Sequence, residues 1–254
     1  ALTAVVKSFP LYLIIVAASV GISSGTTALI SNALGEKNTK RASLLFGQSI
    51  LVALFITIII TSVGLSSIHG ILTILKSSAS IITYATDYMT VIFSGSIVIF
   101  LLVTINSSLV SRGDTKSYRN VLIVSFMMNI FLNPLFIYGF YIIPAMGISG
   151  IALATILSES IGLIYIVYKV NQTEIKNYIS FECFKPKNDF IIDILKQAIP
   201  SGLSMGLVGF GVFILIYLVS TYGDYSAGGY GTAVRFEQLF LLPILGLNTA
   251  TLSL

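Results

Sequence analysis

Charged residues in this chain fall in small groups separated by long apolar runs. No charge lies between Lys7 and Glu36, Arg41 and Lys76, Asp87 and Arg112, Arg119 and Glu159, or Lys196 and Asp224. A helix needs about 20 predominantly apolar residues to cross a bilayer. The runs therefore predict spans near 8–33, 43–66, 83–110, 119–140, 146–168, 198–221 and 227–254. The run after Arg119 has room for two spans, and Gly139 and Pro144 mark the turn between them. Barrel strands would alternate over about ten residues, whereas these runs are continuously apolar. The expected fold is all-α, a polytopic transmembrane helix bundle.

The basic residues orient the bundle. If the spans alternate in direction, one set of loops collects Lys37, Lys40, Arg41, Arg112, Lys116, Arg119, Lys169, Lys176, Lys185, Lys187 and Lys196, eleven of the 14 Lys and Arg residues. The opposite side keeps only Lys7 and Lys76, and Arg235 lies within a span. Loops rich in Lys and Arg stay in the cytoplasm. The net charge of +4 is thus a topology signal, and a nucleic-acid partner is not expected. Asp114 falls in one of these basic loops, where it suits a turn.

Composition agrees with a lipid-solvated chain. It is 56% hydrophobic and 9% charged, with mean hydropathy +0.96, against about 25% charged residues in soluble proteins. Tyr and Phe, 13 and 16 in number with no Trp, are available for the interfacial belts. Cys183 and His69 are each single, which excludes an internal disulfide and multi-Cys or multi-His metal sites. No nucleotide-binding loop, zinc motif or nucleophile triad is present, so neither an enzyme nor a cofactor is expected.

One long polar connector divides the chain. The expected organisation is an amino-terminal lobe over 1–169, a cytoplasmic inter-lobe linker over 170–197 and the start of a carboxy-terminal lobe over 198–254. A short repeat agrees with it: Gly21-Ile22-Ser23-Ser24-Gly25-Thr26 resembles Gly246-Leu247-Asn248-Thr249-Ala250-Thr251, 225 residues further on. Transporters are often built from such repeated bundles. A first residue other than Met and a last residue inside an apolar run read as a fragment of a longer protein.

Five stretches resemble the multidrug and toxic compound extrusion (MATE) family. They are Gly21 to Ser31 with Gly35-Glu36-Lys37-Asn38; Asn106-Ser107-Ser108-Leu109 with Arg112 to Lys116; Asn129 to Gly139; Gly147 to Thr155; and Leu241 to Thr251. In that order they are similar to the family's second, fourth, fifth, sixth and eighth helices, so the chain corresponds to helices two to eight of twelve. The resemblance implies two lobes around a central cleft and a protein acting as a monomer when full length. It also implies export of cationic or amphipathic organic compounds through the cell membrane, driven by inward sodium or proton flow. A lipid-linked saccharide flippase of the same superfamily is the alternative, though few basic residues lie within the spans. A channel or a non-transporting membrane scaffold is a more distant one.

Asn129 and Asn133 stand one helical turn apart and share a face, and amides in hydrocarbon normally turn to the bundle interior. Pro134 withdraws an N–H and tends to bend the helix. By the resemblance, this turn and the Thr155 hydroxyl are expected to form a cation site able to hold sodium. The family often has Asp where Asn133 stands, and an amide offers a carbonyl oxygen but no titratable proton. Glu159, one turn after Thr155, is flanked by apolar sequence and is the candidate proton carrier, its competing role being an interfacial glutamate. Glu237 in the eighth helix is the candidate contact for a cationic substrate.

Overall fold

A computed structural model describes the backbone of residues 2–141 and 143–252 and the side chains as far as Phe240. Eight α-helices follow one another: α1 (Leu2–Gly35), α2 (Thr39–Ile74), α3 (Ala79–Ser94), α4 (Ser96–Val110), α5 (Lys116–Tyr138), α6 (Ile148–Val170), α7 (Asn188–Ser220) and α8 (Asp224–Leu252). Helices α1, α2, α5, α6 and α7 are each long and apolar enough to cross a membrane, and the bent pair α3–α4 is so when taken together. The protein is a multi-pass membrane protein. The last two residues of the expected span 227–254, and the side chains of the repeat at Gly246 to Thr251, lie outside the described residues.

Two expectations about the spans are corrected. The run 83–110 is not one straight helix: α3 and α4 meet at Gly95 with a bend of 44°. A Gly-Ser pair is a usual site for such a kink. A Cβ at Gly95 would lie 2.6 Å from the Ile156 side chain, so the break lets α6 come close. Thr61 of α2 donates to the Phe93 carbonyl at 3.1 Å and bonds the Ser96 hydroxyl at 2.9 Å, satisfying polar groups at the kink. The seventh span begins earlier than 198: α7 starts at Asn188 and takes in Lys196. Its first turns carry Asp189, Asp193 and Lys196, and an acid in the first turn suits the helix dipole.

Helices α5 and α6 form an antiparallel pair joined by a tight turn. Gly139 and Gly147 take φ of 73° and 58°, and a Cβ at Gly139 would sit 2.7 Å from the Ala145 nitrogen. Phe140 and Tyr141 project from this turn almost fully exposed, as aromatic side chains do at a membrane–water interface. Gly21 and Gly25 of α1 lie against α7. A Cβ on Gly21 would be 2.6 Å from the Ala198 carbonyl oxygen. This is the close backbone packing expected of a small-xxx-small pair.

Residues 171–187 contain two short 3₁₀ turns and dock on the N-terminal part of α2. Gln48, fully buried, donates to the carbonyls of Cys183 (2.8 Å) and Lys185 (2.7 Å) and accepts from the Lys187 N–H (2.9 Å). Ser43 donates to the Ile175 carbonyl at 3.1 Å.

Candidate functional site

The candidate residues on α5 and α6 are brought to neighbouring levels because the two helices pack in a fixed register. Ser125 donates to the Ser158 carbonyl at 3.4 Å. A Cβ on Gly150 would meet the Phe136 carbonyl, and one on Gly162 the Val121 side chain. Counting along this antiparallel pairing sets Asn129 level with Thr155. Asn133 falls one turn nearer the outer end.

The three polar side chains do not bond one another. Asn129 donates to the Ser125 carbonyl of its own helix at 2.9 Å, and Thr155 donates to the Ile151 carbonyl of its own helix at 3.1 Å. Such back-bonding uses N–H and O–H donors and leaves the side-chain oxygens able to accept or coordinate. Asn133 differs: its Oδ1 is buried and has no hydrogen-bond partner. A buried amide oxygen without a partner costs about 1–3 kcal/mol, a cost that a hydrogen-bond donor or a cation at this point would remove. Among the described residues no three His, Cys, Asp or Glu side chains cluster to hold a metal ion.

Glu159 stands at the midpoint of α6, not at its cytoplasmic end, and is half-buried. It makes no ion pair among the described residues.

Glu237 is exposed on α8. A cavity of about 120 Å³ between α1, α7 and α8 is lined by Phe9, Tyr230, Arg235 and Gln238, among others, and not by Glu237.

Sequence reasoning did not find a second buried ionic centre, at the outer ends of the helices. Lys7, fully buried in the first turns of α1, lies 2.6 Å from Oδ1 of Asp224, the first residue of α8. Its ammonium also donates to the carbonyls of Leu75 at 3.0 Å and Lys76 at 3.3 Å. All three of its N–H donors are used. Asp224 Oδ2 accepts from the Ser78 N–H at 3.2 Å. Val6, Leu75 and Ile216 pack together, buried, beside the pair, and the Lys76 ammonium lies over the Tyr217 ring, 5.6 Å from its centroid. The available signal was a lysine on the side where basic residues are scarce.

Comparison with known proteins follows the same lines. The MatE family model matches residues 1–135. The chain is 26% identical over 255 residues to the "Probable multidrug resistance protein YoeA" of Bacillus subtilis, a match covering 98% of this chain and 55% of that protein. A solved structure described as the inward-facing conformation of a multidrug resistance MATE family transporter superimposes with a TM-score of 0.88 at 27% identity, covering 98% of this chain and 56% of that one. The outward-facing conformation of such a transporter gives 0.80, also at 27% identity, over 98% and 55%. The chain spans about half the length of the curated relatives it matches.

Proposed function

The chain belongs to the MatE family, and from that premise we propose that the protein is an antiporter exporting cationic or amphipathic organic compounds, with protons as the coupling ion. The observation that carries the proposal is Glu159, a half-buried carboxylate at the midpoint of a membrane helix with no ion-pair partner among the described residues. An ionised acid at the bilayer centre costs about 2.5–3.5 kcal/mol. The carboxylate is therefore favoured when it is protonated, or when a cation lies against it. A single group that binds either a proton or a cationic substrate, and not both, exchanges one for the other. That competition is the chemical requirement of antiport. Asn129 and Thr155 supply neutral oxygens at one level, a turn from Glu159, and Asn133 supplies another a turn beyond them, suited to a hydrated cation or to a substrate's hydrogen-bond donors.

The test uses the complete gene product in proteoliposomes with an imposed pH gradient. Glu159→Gln keeps the size and hydrogen bonding of the side chain and removes its charge. Proton-driven export is expected to collapse in that variant, with cationic substrate bound more weakly and without dependence on pH. Export at the wild-type rate with wild-type pH dependence would remove Glu159 from the mechanism.

We also infer that this arrangement is the state closed toward the outside. The described contacts of α8 with α1 gather at the N-terminal ends of the two helices, around the Lys7–Asp224 pair. Gly228 and Gly231 of α8 lie against Thr3 and Val6 of α1, whereas residues 235–240 further down α8 are exposed. The higher TM-score to the inward-facing structure than to the outward-facing one supports the same reading.

A further inference from the structure

We propose that Lys7 and Asp224 are the latch of an outer gate, an ion pair that must break for the cleft to open outward. The proposal rests on the reading just given, that α7 and α8 begin a second lobe and that the outer side is closed in this state.

The geometry is that of a built contact. A lysine ammonium has three donors, and here each meets an acceptor from a different residue: Leu75, Lys76 and Asp224. Two of these acceptors are backbone carbonyls just past the end of α2, in the amino-terminal lobe, so Lys7 is held by its own lobe whether or not the gate is closed. The third belongs to α8. Asp224 is held at 23% side-chain exposure and receives a second bond from the Ser78 N–H at the start of α3. One carboxylate of the second lobe thus ties together the outer ends of α1, α2 and α3.

Removing Asp224 from this position leaves a buried ammonium with two neutral acceptors. A buried charge deprived of its counterion is strongly unfavourable, so separation of the lobes must bring water or another anion to Lys7. Beside the pair, Val6, Leu75 and Ile216 form an apolar plug that excludes water while the latch is shut. Charge pair and apolar plug together make a closure that opens as a unit. The two carbonyls also explain the polarity of the pair. They accept hydrogen bonds from a cation at position 7 and would repel an acid there, so the two charges are not exchangeable.

The test reads the gate itself and needs no substrate. In the complete protein with other cysteines removed, Ile216→Cys places a thiol in the plug, and a membrane-impermeant maleimide is added from outside. Labelling should be slow with the native pair and roughly tenfold faster in Asp224→Asn, a shift within the usual range for coupling between two states. Asp224→Glu, which keeps the charge, should stay near the native rate. Equal labelling in the native protein and Asp224→Asn would overturn the proposal, as would Asp224→Glu labelling as fast as Asp224→Asn. A second variant, Lys7→Cys with Asp224→Cys, joined by a reducible bifunctional thiol reagent, should lose transport when cross-linked and regain it on reduction. Transport continuing with the link in place would also overturn the latch. If labelling responds as expected in a protein that exports no drug, the latch stands and the exporter reading falls.

Discussion

Two buried amides show how differently this molecule treats polar groups. Gln48, in the N-terminal part of α2, spends both N–H donors and its oxygen on the backbone of the segment between α6 and α7. Asn133, near the middle of α5, buries an oxygen that has no partner. Both side chains cost desolvation, and only the first recovers it within the protein. Complete satisfaction marks a position that holds structure. An orphaned group is kept at a position where something else must come and go. The outer latch belongs with Gln48 in this respect, every donor of Lys7 being used, while Glu159 belongs with Asn133.

The contrast predicts opposite outcomes for similar substitutions. Gln48→Leu strands two carbonyls and one N–H at the linker, each group costing about 1–3 kcal/mol if buried and unpaired. Thermal unfolding in detergent should show the largest loss here, at least about 2 kcal/mol, with the linker becoming protease-sensitive. Unchanged unfolding would mean that the linker is not held by Gln48.

Asn133→Leu should change stability by less than about 1 kcal/mol, since an unpaired polar group is replaced by an apolar one of similar size. Substrate transport should nonetheless fall. A stability loss matching that of Gln48→Leu, with transport intact, would make Asn133 a structural residue and dissolve the contrast.

A smaller effect is expected at Asp114, in the loop before α5. Its carboxylate accepts from the Ser117 hydroxyl at 2.6 Å and from the Ser117 N–H at 3.0 Å. The hydroxyl bond, the largest cause, and the backbone N–H groups of Ser117 and Lys116 hold its pKa below the ordinary carboxylate value. A depressed pKa means that the contribution is fully present above the ordinary carboxylate range and is lost as pH falls through the lowered value. Asp114→Asn should therefore flatten a slight acid-side loss of helix stability without changing behaviour near neutral pH. Hydrogen exchange at the first turn of α5 across an acid titration measures it. An unchanged acid profile in that variant would assign no role to the carboxylate.

The spans were legible because lipid leaves one strong constraint, the absence of charge over a membrane thickness, and that constraint is local in sequence. The start of α7 was not. Its first turns carry Asp189, Asp193 and Lys196, so they read as loop although they are helical. The break at Gly95 was hidden because a Gly-Ser pair inside an apolar run does not interrupt its hydrophobicity. Asn129, Asn133, Thr155 and Glu159 were found because polar groups stand out against an apolar helix. The latch was missed because its partners are separated by 217 positions, and nothing local to Lys7 or Asp224 shows that α1 and α8 meet.

The central claim is that Glu159 holds the proton that a cationic substrate displaces. The most direct measurement is proton release on substrate binding, followed with a pH indicator in weakly buffered detergent solution of the complete protein. The account predicts proton release from the native protein near neutral pH and none from Glu159→Gln, with substrate still bound by both. Equal release from the two proteins would contradict it, and the displaced proton would then belong to another acid.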